Sequence, residues 1–139
     1  VMSDLYGWIL EQITAVEGMA RAAEKEQGRS WATRWEPSGD YFEVVDDRGL
    51  LVADQVQPGA AGLIVAHSPA AVLRRCAADR RQLVSHGPRQ DGSGFPDSMQ
   101  CRTCSEDGGD GYQYLVPAPC ATVRDLAEGY GWTGEGSPA

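Results

Sequence analysis

Asparagine is absent from all 139 residues, and Lys25 is the only lysine against eleven arginines. Both scarce types have AT-rich codons, so the bias points to GC-rich coding DNA and says nothing about mechanism. A surplus of positive charge is also lacking. Twenty acidic residues against twelve basic ones give a net charge of −8. A duplex binder needs cations to displace counterions from phosphate, so double-stranded nucleic acid is not the expected partner. No apolar run is long enough to cross a bilayer, and Val1-Met2-Ser3-Asp4 lacks the basic and apolar stretches of a signal peptide. The sequence is therefore expected to be cytoplasmic, with no membrane partner, and Val1 before Met2 reads as an alternative start codon. Motif-borne chemistry is equally sparse: there is no P-loop, nucleophile elbow, zinc-protease His-Glu-x-x-His, dinucleotide fingerprint or internal repeat.

What is there is a set of thiols. His86, the pair Cys101-Arg102-Thr103-Cys104, and Pro119-Cys120 form the spacing H-x14-C-x2-C-x15-C. A Cys-x-x-Cys pair lets two thiolates meet one ion across a tight knuckle, and structural zinc takes four tetrahedral N/S ligands. Arg102 supplies a cation beside the thiols. Cys120 opens a helical pattern, where the helix dipole favours an anion. His86 ends the preceding helical pattern and offers an imidazole; Asp107 or Asp110 is the alternative fourth ligand. A redox pair would call for a surrounding βαβ pattern, and a disulfide for export; neither signal is present. A Cys-His nucleophile would leave the other cysteines idle. The expected cofactor is structural Zn2+ on His86, Cys101, Cys104 and Cys120.

Around that site the patterning predicts a single α+β domain over residues 1–139. Ser3 caps a long first helix whose stripe is Leu5, Trp8, Ile9, Ile13, Val16, Met19, Ala20 and Ala23, with Glu11, Glu17, Glu24 and Glu26 on a solvated face. Trp31 and Trp35, then Tyr41 to Val45, then Leu50 to Ala53 read as a three-stranded antiparallel meander, with both tryptophans covering the first helix. Gly49 suits the left-handed position of the turn after Asp46. Residues 60–67 form a short apolar helix. Ser68-Pro69 starts a second, giving a helical pair, with Leu73, Cys76, Ala77, Arg80, Leu83 and Val84 on one face. Cys76 is read as a core residue and His67 as a capping or packing histidine. Residues 87–100 and 105–111 read as loops ordered by the metal. A zinc-ribbon-like knuckle follows, then a strand in which Tyr112, Tyr114 and Val116 alternate, then a C-terminal helix with Val123, Leu126, Ala127 and Tyr130; 131–139 reads as a frayed tail apart from Trp132.

Four segments resemble a family of small uncharacterised actinobacterial and actinophage proteins, classed as a domain of unknown function. They are Ile64-Val65-Ala66-His67-Ser68-Pro69-Ala70-Ala71-Val72-Leu73-Arg74, the basic run Arg80 to His86, Cys101 to Cys104, and Pro119-Cys120-Ala121-Thr122-Val123-Arg124. The similarity spans roughly residues 3–130. The chain departs from the family at Cys76, where an aliphatic residue is usual, and lacks a Pro-Trp near the first strand and a Tyr-rich tail. The resemblance implies an actinobacterial or phage origin and supports the metal site; it implies no activity.

The expected function is that of a non-enzymatic, zinc-stabilised interaction or regulatory protein whose partner is another protein. Two other readings stay open. One is a nucleic-acid-associated regulator using the arginines Arg74, Arg75, Arg80 and Arg81. The other is an enzyme using His67 or a zinc ion open to water. Nothing in the sequence bears on oligomeric state.

Overall fold

The longest apolar period of the chain becomes its longest helix, α1 (Met2–Gln27). A computed structural model describes residues 2–37, 39–90, 98–107 and 113–134. After α1 come β1 (Trp31–Trp35), β2 (Phe42–Asp46), β3 (Leu51–Val56), α2 (Pro58–Ala66), α3 (Pro69–Ser85), β4 (Pro88–Gln90), β5 (Met99–Cys101), β6 (Glu106–Asp107), β7 (Gln113–Tyr114) and α4 (Ala121–Gly129). The fold is α+β, as the patterning predicts. The chain divides into two compact units, one of Thr14–Ala77 and one of the residues up to Ile13 with those from Ala78 onward.

In the unit 14–77, β1, β2 and β3 form an antiparallel sheet in that order. Val44, Val56 and Ala61 are its buried centre, joined by Trp31, Phe42, Val52, Ala53, Ile64 and Val65, so the sheet and α2 share one apolar cluster. The turn between β2 and β3 is built on the buried Asp46. Its Oδ1 accepts from the amides of Arg48 and Leu50 at 2.8 and 2.9 Å, and its Oδ2 from the Arg48 guanidinium at 2.9 and 2.6 Å. Gly49 completes the turn at φ 78. Gly28, at φ 74, ends α1 against this turn; a Cβ there would run into the Asp47 carboxylate. Trp31 covers α1 as expected: its Nε1 donates to the Gln27 carbonyl at 2.9 Å, and with Val16, Met19, Ala20 and Ala23 it lines a recess of about 230 Å³. Trp35 does not cover the helix. It stacks edge-on against Phe42, with ring centroids 4.9 Å apart, because β1 carries it to the far end of the strand.

Helix α2 starts earlier than the apolar run suggests, at Pro58, where a missing amide costs nothing. His67 is its C-cap, as predicted: its amide bonds to the Ile64 carbonyl at 3.0 Å, and its Nδ1 lies 2.8 Å from the Leu63 carbonyl. On α3 the buried residues are Pro69, Cys76 and Leu83, seven apart in each step and so two turns along one line. Ala77 and Val84 stand about 100° off that line and are exposed, which corrects the wider apolar face expected here.

In the other unit, Leu5, Ile9, Ile13, Leu83, Val123 and Ala127 are buried. The stretch 87–100, expected as loop, supplies β4 and β5, which pair from Pro88↔Cys101 to Gln90↔Met99. β5 is bordered on its other side by residues 116–118, through Cys101 N–H to the Val116 carbonyl at 2.7 Å and Ala118 N–H to the Met99 carbonyl at 3.1 Å. β6 (Glu106–Asp107) likewise replaces part of the second expected loop, while β7 (Gln113–Tyr114) falls in the strand expected around Tyr112, Tyr114 and Val116. Residues 91–97 of the first expected loop, 108–111 of the second, Tyr112 and 135–139 of the expected frayed tail lie outside the described residues. Trp132 is fixed, its ring 5.0 Å from that of Trp8 and its amide bonded to the Ala127 carbonyl.

Candidate metal centre

Four segments converge at one point. The last turn of α3 delivers His86, whose amide bonds to the Gln82 carbonyl at 2.9 Å. The end of β5 delivers Cys101, held between its ladder to Pro88 and the Val116 carbonyl. The turn 102–104 closes the knuckle: Ser105 N–H donates to the Cys101 carbonyl at 3.2 Å and Cys104 N–H to the Cys101 Sγ at 3.4 Å. The N-cap of α4 delivers Cys120, whose carbonyl receives the Arg124 amide at 3.0 Å while its side chain makes no capping bond. The Cys120 sulfur is thus left for another task.

That task is visible in the distances. His86 Nδ1 lies 3.5, 3.4 and 3.5 Å from the sulfurs of Cys101, Cys104 and Cys120. All four donor atoms fall within 4.8 Å of one another. Zn–S and Zn–N bonds of ~2.3 and ~2.0 Å at a tetrahedral angle require an N···S edge of about 3.5 Å. The three measured separations match that edge together, so the donors fit a tetrahedral ion with Nδ1 as the ligating nitrogen. All four cysteines are free thiols, which removes the disulfide reading. Cys101 and Cys120 are buried and Cys104 and His86 half-buried, so the four residues named by spacing can hold a metal ion.

Residues 2–131 match the sequence profile of the Family of unknown function (DUF6221). The chain belongs to this family. No curated protein matches it, and no solved structure does. All four donors of this DUF6221 chain lie inside the matched stretch, and an uncharacterised family is what the resemblance implied.

The electrostatics of the DUF6221 site favour a cation. Burial pushes the Cys101 thiol up, but hydrogen bonds from the Cys104 amide, His86, the Thr103 amide and Cys120 outweigh it and bring the thiol down to about 7. Burial, the bonds to Cys101 and Cys120, and the negative charge of those sulfurs push Cys104 up to about 12. Three thiols packed this closely cannot all ionise unaided, since each anion disfavours the next. A divalent ion removes that conflict. Among the described residues no other group of His, Cys, Asp or Glu side chains clusters this way. Cys76 and His67 stand outside it, as expected. Of the alternative ligands, the side chain of Asp107 and all of Asp110 lie outside the described residues. Arg102 is exposed, and its amide donates to the Gly87 carbonyl at 3.0 Å.

Supporting contacts come from residues the spacing did not single out. Tyr6 donates from its hydroxyl to the His86 carbonyl at 3.0 Å across 80 positions of sequence. Burial, then the charges of Cys120, Cys101 and Cys104, push its phenol up to about 12, so it stays a donor. Thr103 donates to the Ser85 carbonyl. Ser105 receives the Val116 amide at 3.0 Å. Tyr6 carries no local signal of this role, because nothing in its own helix differs from an ordinary amphipathic face.

Proposed function

We propose that this DUF6221 protein holds one zinc ion through His86 Nδ1, Cys101, Cys104 and Cys120. The ion is structural, and the protein acts by contact with another protein and not by catalysis. The observation that carries the proposal is the set of three equal Nδ1–sulfur separations of 3.4 to 3.5 Å. Four protein donors fill a tetrahedral shell and leave no position for water, which supports a structural role over Lewis-acid chemistry. Bound there, the ion would neutralise the thiolates and tie β5, the knuckle and the first turn of α4 to the end of α3. The free thiols support a reducing, cytoplasmic setting. No helix among the described residues is long and apolar enough to cross a membrane. The GC-rich codon bias and the family resemblance support an actinobacterial or phage source.

Elemental analysis of natively purified protein tests the metal and should give about one zinc per chain, as four-ligand sites do. A folded protein without metal refutes it. The arginine-helix reading is tested separately, by anisotropy of labelled duplex at physiological salt. With a net charge of −8 no binding is expected at low micromolar protein. Tight, steeply salt-dependent binding would replace the protein-partner reading.

A further inference from the structure

The sheet of residues 14–77 has two edges, and they differ. At β3 the edge is interrupted. Phe42 pairs with Val56 and Val44 with Ala53, so Asp54 and Gln55 together face Glu43, and Gln55 takes φ 53. A bulge of this kind twists an edge away from further pairing. β1 has no such device. It pairs with β2 in unbroken register from Trp31↔Asp46 to Trp35↔Phe42, contains no proline, and is exposed from Ala32 to Trp35. Among the described residues β2 is the only strand that β1 meets.

One hydrogen bond sets the direction of the free backbone groups. Glu36 N–H donates to the Tyr41 carbonyl at 3.3 Å, next to the ladder. Bonded and non-bonded pairs alternate along an antiparallel ladder. Arg34/Glu43 and Ala32/Val45 are therefore the bonded pairs, and Trp31, Thr33 and Trp35 aim their N–H and C=O groups away from β2. These three residues lie symmetrically about Thr33 in Trp31-Ala32-Thr33-Arg34-Trp35, a stretch that reads nearly the same in both directions.

We propose that β1 is a self-pairing edge, on which a second copy of this chain adds its own β1 antiparallel about a two-fold axis at Thr33. In that register Thr33 faces Thr33 of the second copy and Trp31 faces its Trp35. The outward groups of these pairs form about six backbone hydrogen bonds. Aromatic pairs and Thr–Thr pairs are among the favourable cross-strand neighbours. The charges also fit. Arg34 lies opposite Ala32 of the second copy, and its own Glu43 neutralises it at 2.6 Å. A patch symmetric about its own centre is what a two-fold contact requires. A strand edge is a small interface, so association belongs to the weak, micromolar class. The inference does not depend on the metal centre.

Sedimentation equilibrium of the full metal-loaded chain, from roughly 5 to 500 µM to bracket the affinity of a small interface, should show monomer passing to dimer. Ala32→Arg sets a cation against Arg34 of the second copy and should weaken the dimer several-fold. Ala32→Glu should strengthen it several-fold, an opposition that a general effect on folding would not produce. Thr33→Pro removes an outward donor but no bond to β2 and should abolish association, with circular dichroism to check the fold; the Ala32 pair carries the test if that variant unfolds. A chain monomeric throughout the range overturns the proposal. So does a dimer on which both Ala32 variants act alike.

Discussion

Metal removal separates a structural ion from an incidental one, and the structure sets the size of the effect. The unit that holds the four donors comprises about 75 residues. At ~0.05–0.15 kcal/mol per residue, an average fold of that size is worth about 4–11 kcal/mol. Apparent binding of structural zinc is ~10–16 kcal/mol, all of it folding free energy when the site does not exist in the unfolded chain. The ion's contribution thus equals or exceeds the whole. Apolar burial offers little to replace it: among the described residues between 98 and 134, the buried apolar side chains besides the cysteines are Ala118, Val123 and Ala127. Hydrogen exchange with and without a chelator reads this directly. Loss of ~4 kcal/mol or more lowers amide protection by roughly 1,000-fold, and that is expected across 98–107 and 114–130. The strands β2 and β3 have their own cluster at Val44, Val56 and Ala61 and should change by less than about ten-fold. Within α1 the boundary should fall near Ile13, where the units divide. Unchanged protection at 98–130 in metal-free protein would refute the reasoning.

Other variants test single features. Cys76 is buried but outside the donor cluster, so Cys76→Ala should keep its full metal content and lose on the order of 1 kcal/mol in chemical denaturation, as a small core truncation does; metal loss would show the ligands misassigned. Asp46 is held below the usual carboxylate range: burial alone would raise it, but the Arg48 guanidinium and the Leu50 and Arg48 amides outweigh burial. A carboxyl lowered in the folded state stabilises above its unfolded value and loses that stability as pH falls through its folded one. Denaturation midpoints should therefore drop below about pH 4, and the drop should be shallower in Asp46→Asn. Gly28→Ala combines a left-handed φ with a collision at the Asp47 carboxylate and should cost at least about 1 kcal/mol, read as a lowered midpoint.

The donor cluster was legible because its signal is chemical identity at a spacing, and three thiols and an imidazole brought together can hold a metal ion. The meander was legible for a related reason: Asp46-Asp47-Arg48-Gly49 has the composition of a turn, and short apolar runs, Tyr41 to Val45 and Leu50 to Ala53, stand on either side. β4 and β5 were not, since the stretch 87–100 is full of Gly, Pro and polar residues that by themselves favour loop. Their order comes from bonds to distant residues, such as Cys101 N–H to the Val116 carbonyl, which local composition does not announce. Trp35 was misplaced because an apolar ring reads the same in sequence whether it meets a helix or its strand neighbour, here Phe42.

The bond from Tyr6 to the His86 carbonyl joins the start of the chain to a carbonyl made 80 residues later. At ~5–20 residues per second of synthesis, the early turns of α1 leave the ribosome roughly 4 to 16 seconds before that acceptor, and longer still before Cys120. Leu5, Ile9 and Ile13 spend that interval without the residues they share a unit with. A nascent chain stopped anywhere short of Cys120 carries the full apolar stripe but cannot complete the metal shell. If the proposed zinc ion closes that site, its supply and the speed of translation, and not only the finished sequence, govern how much of this protein reaches its folded state.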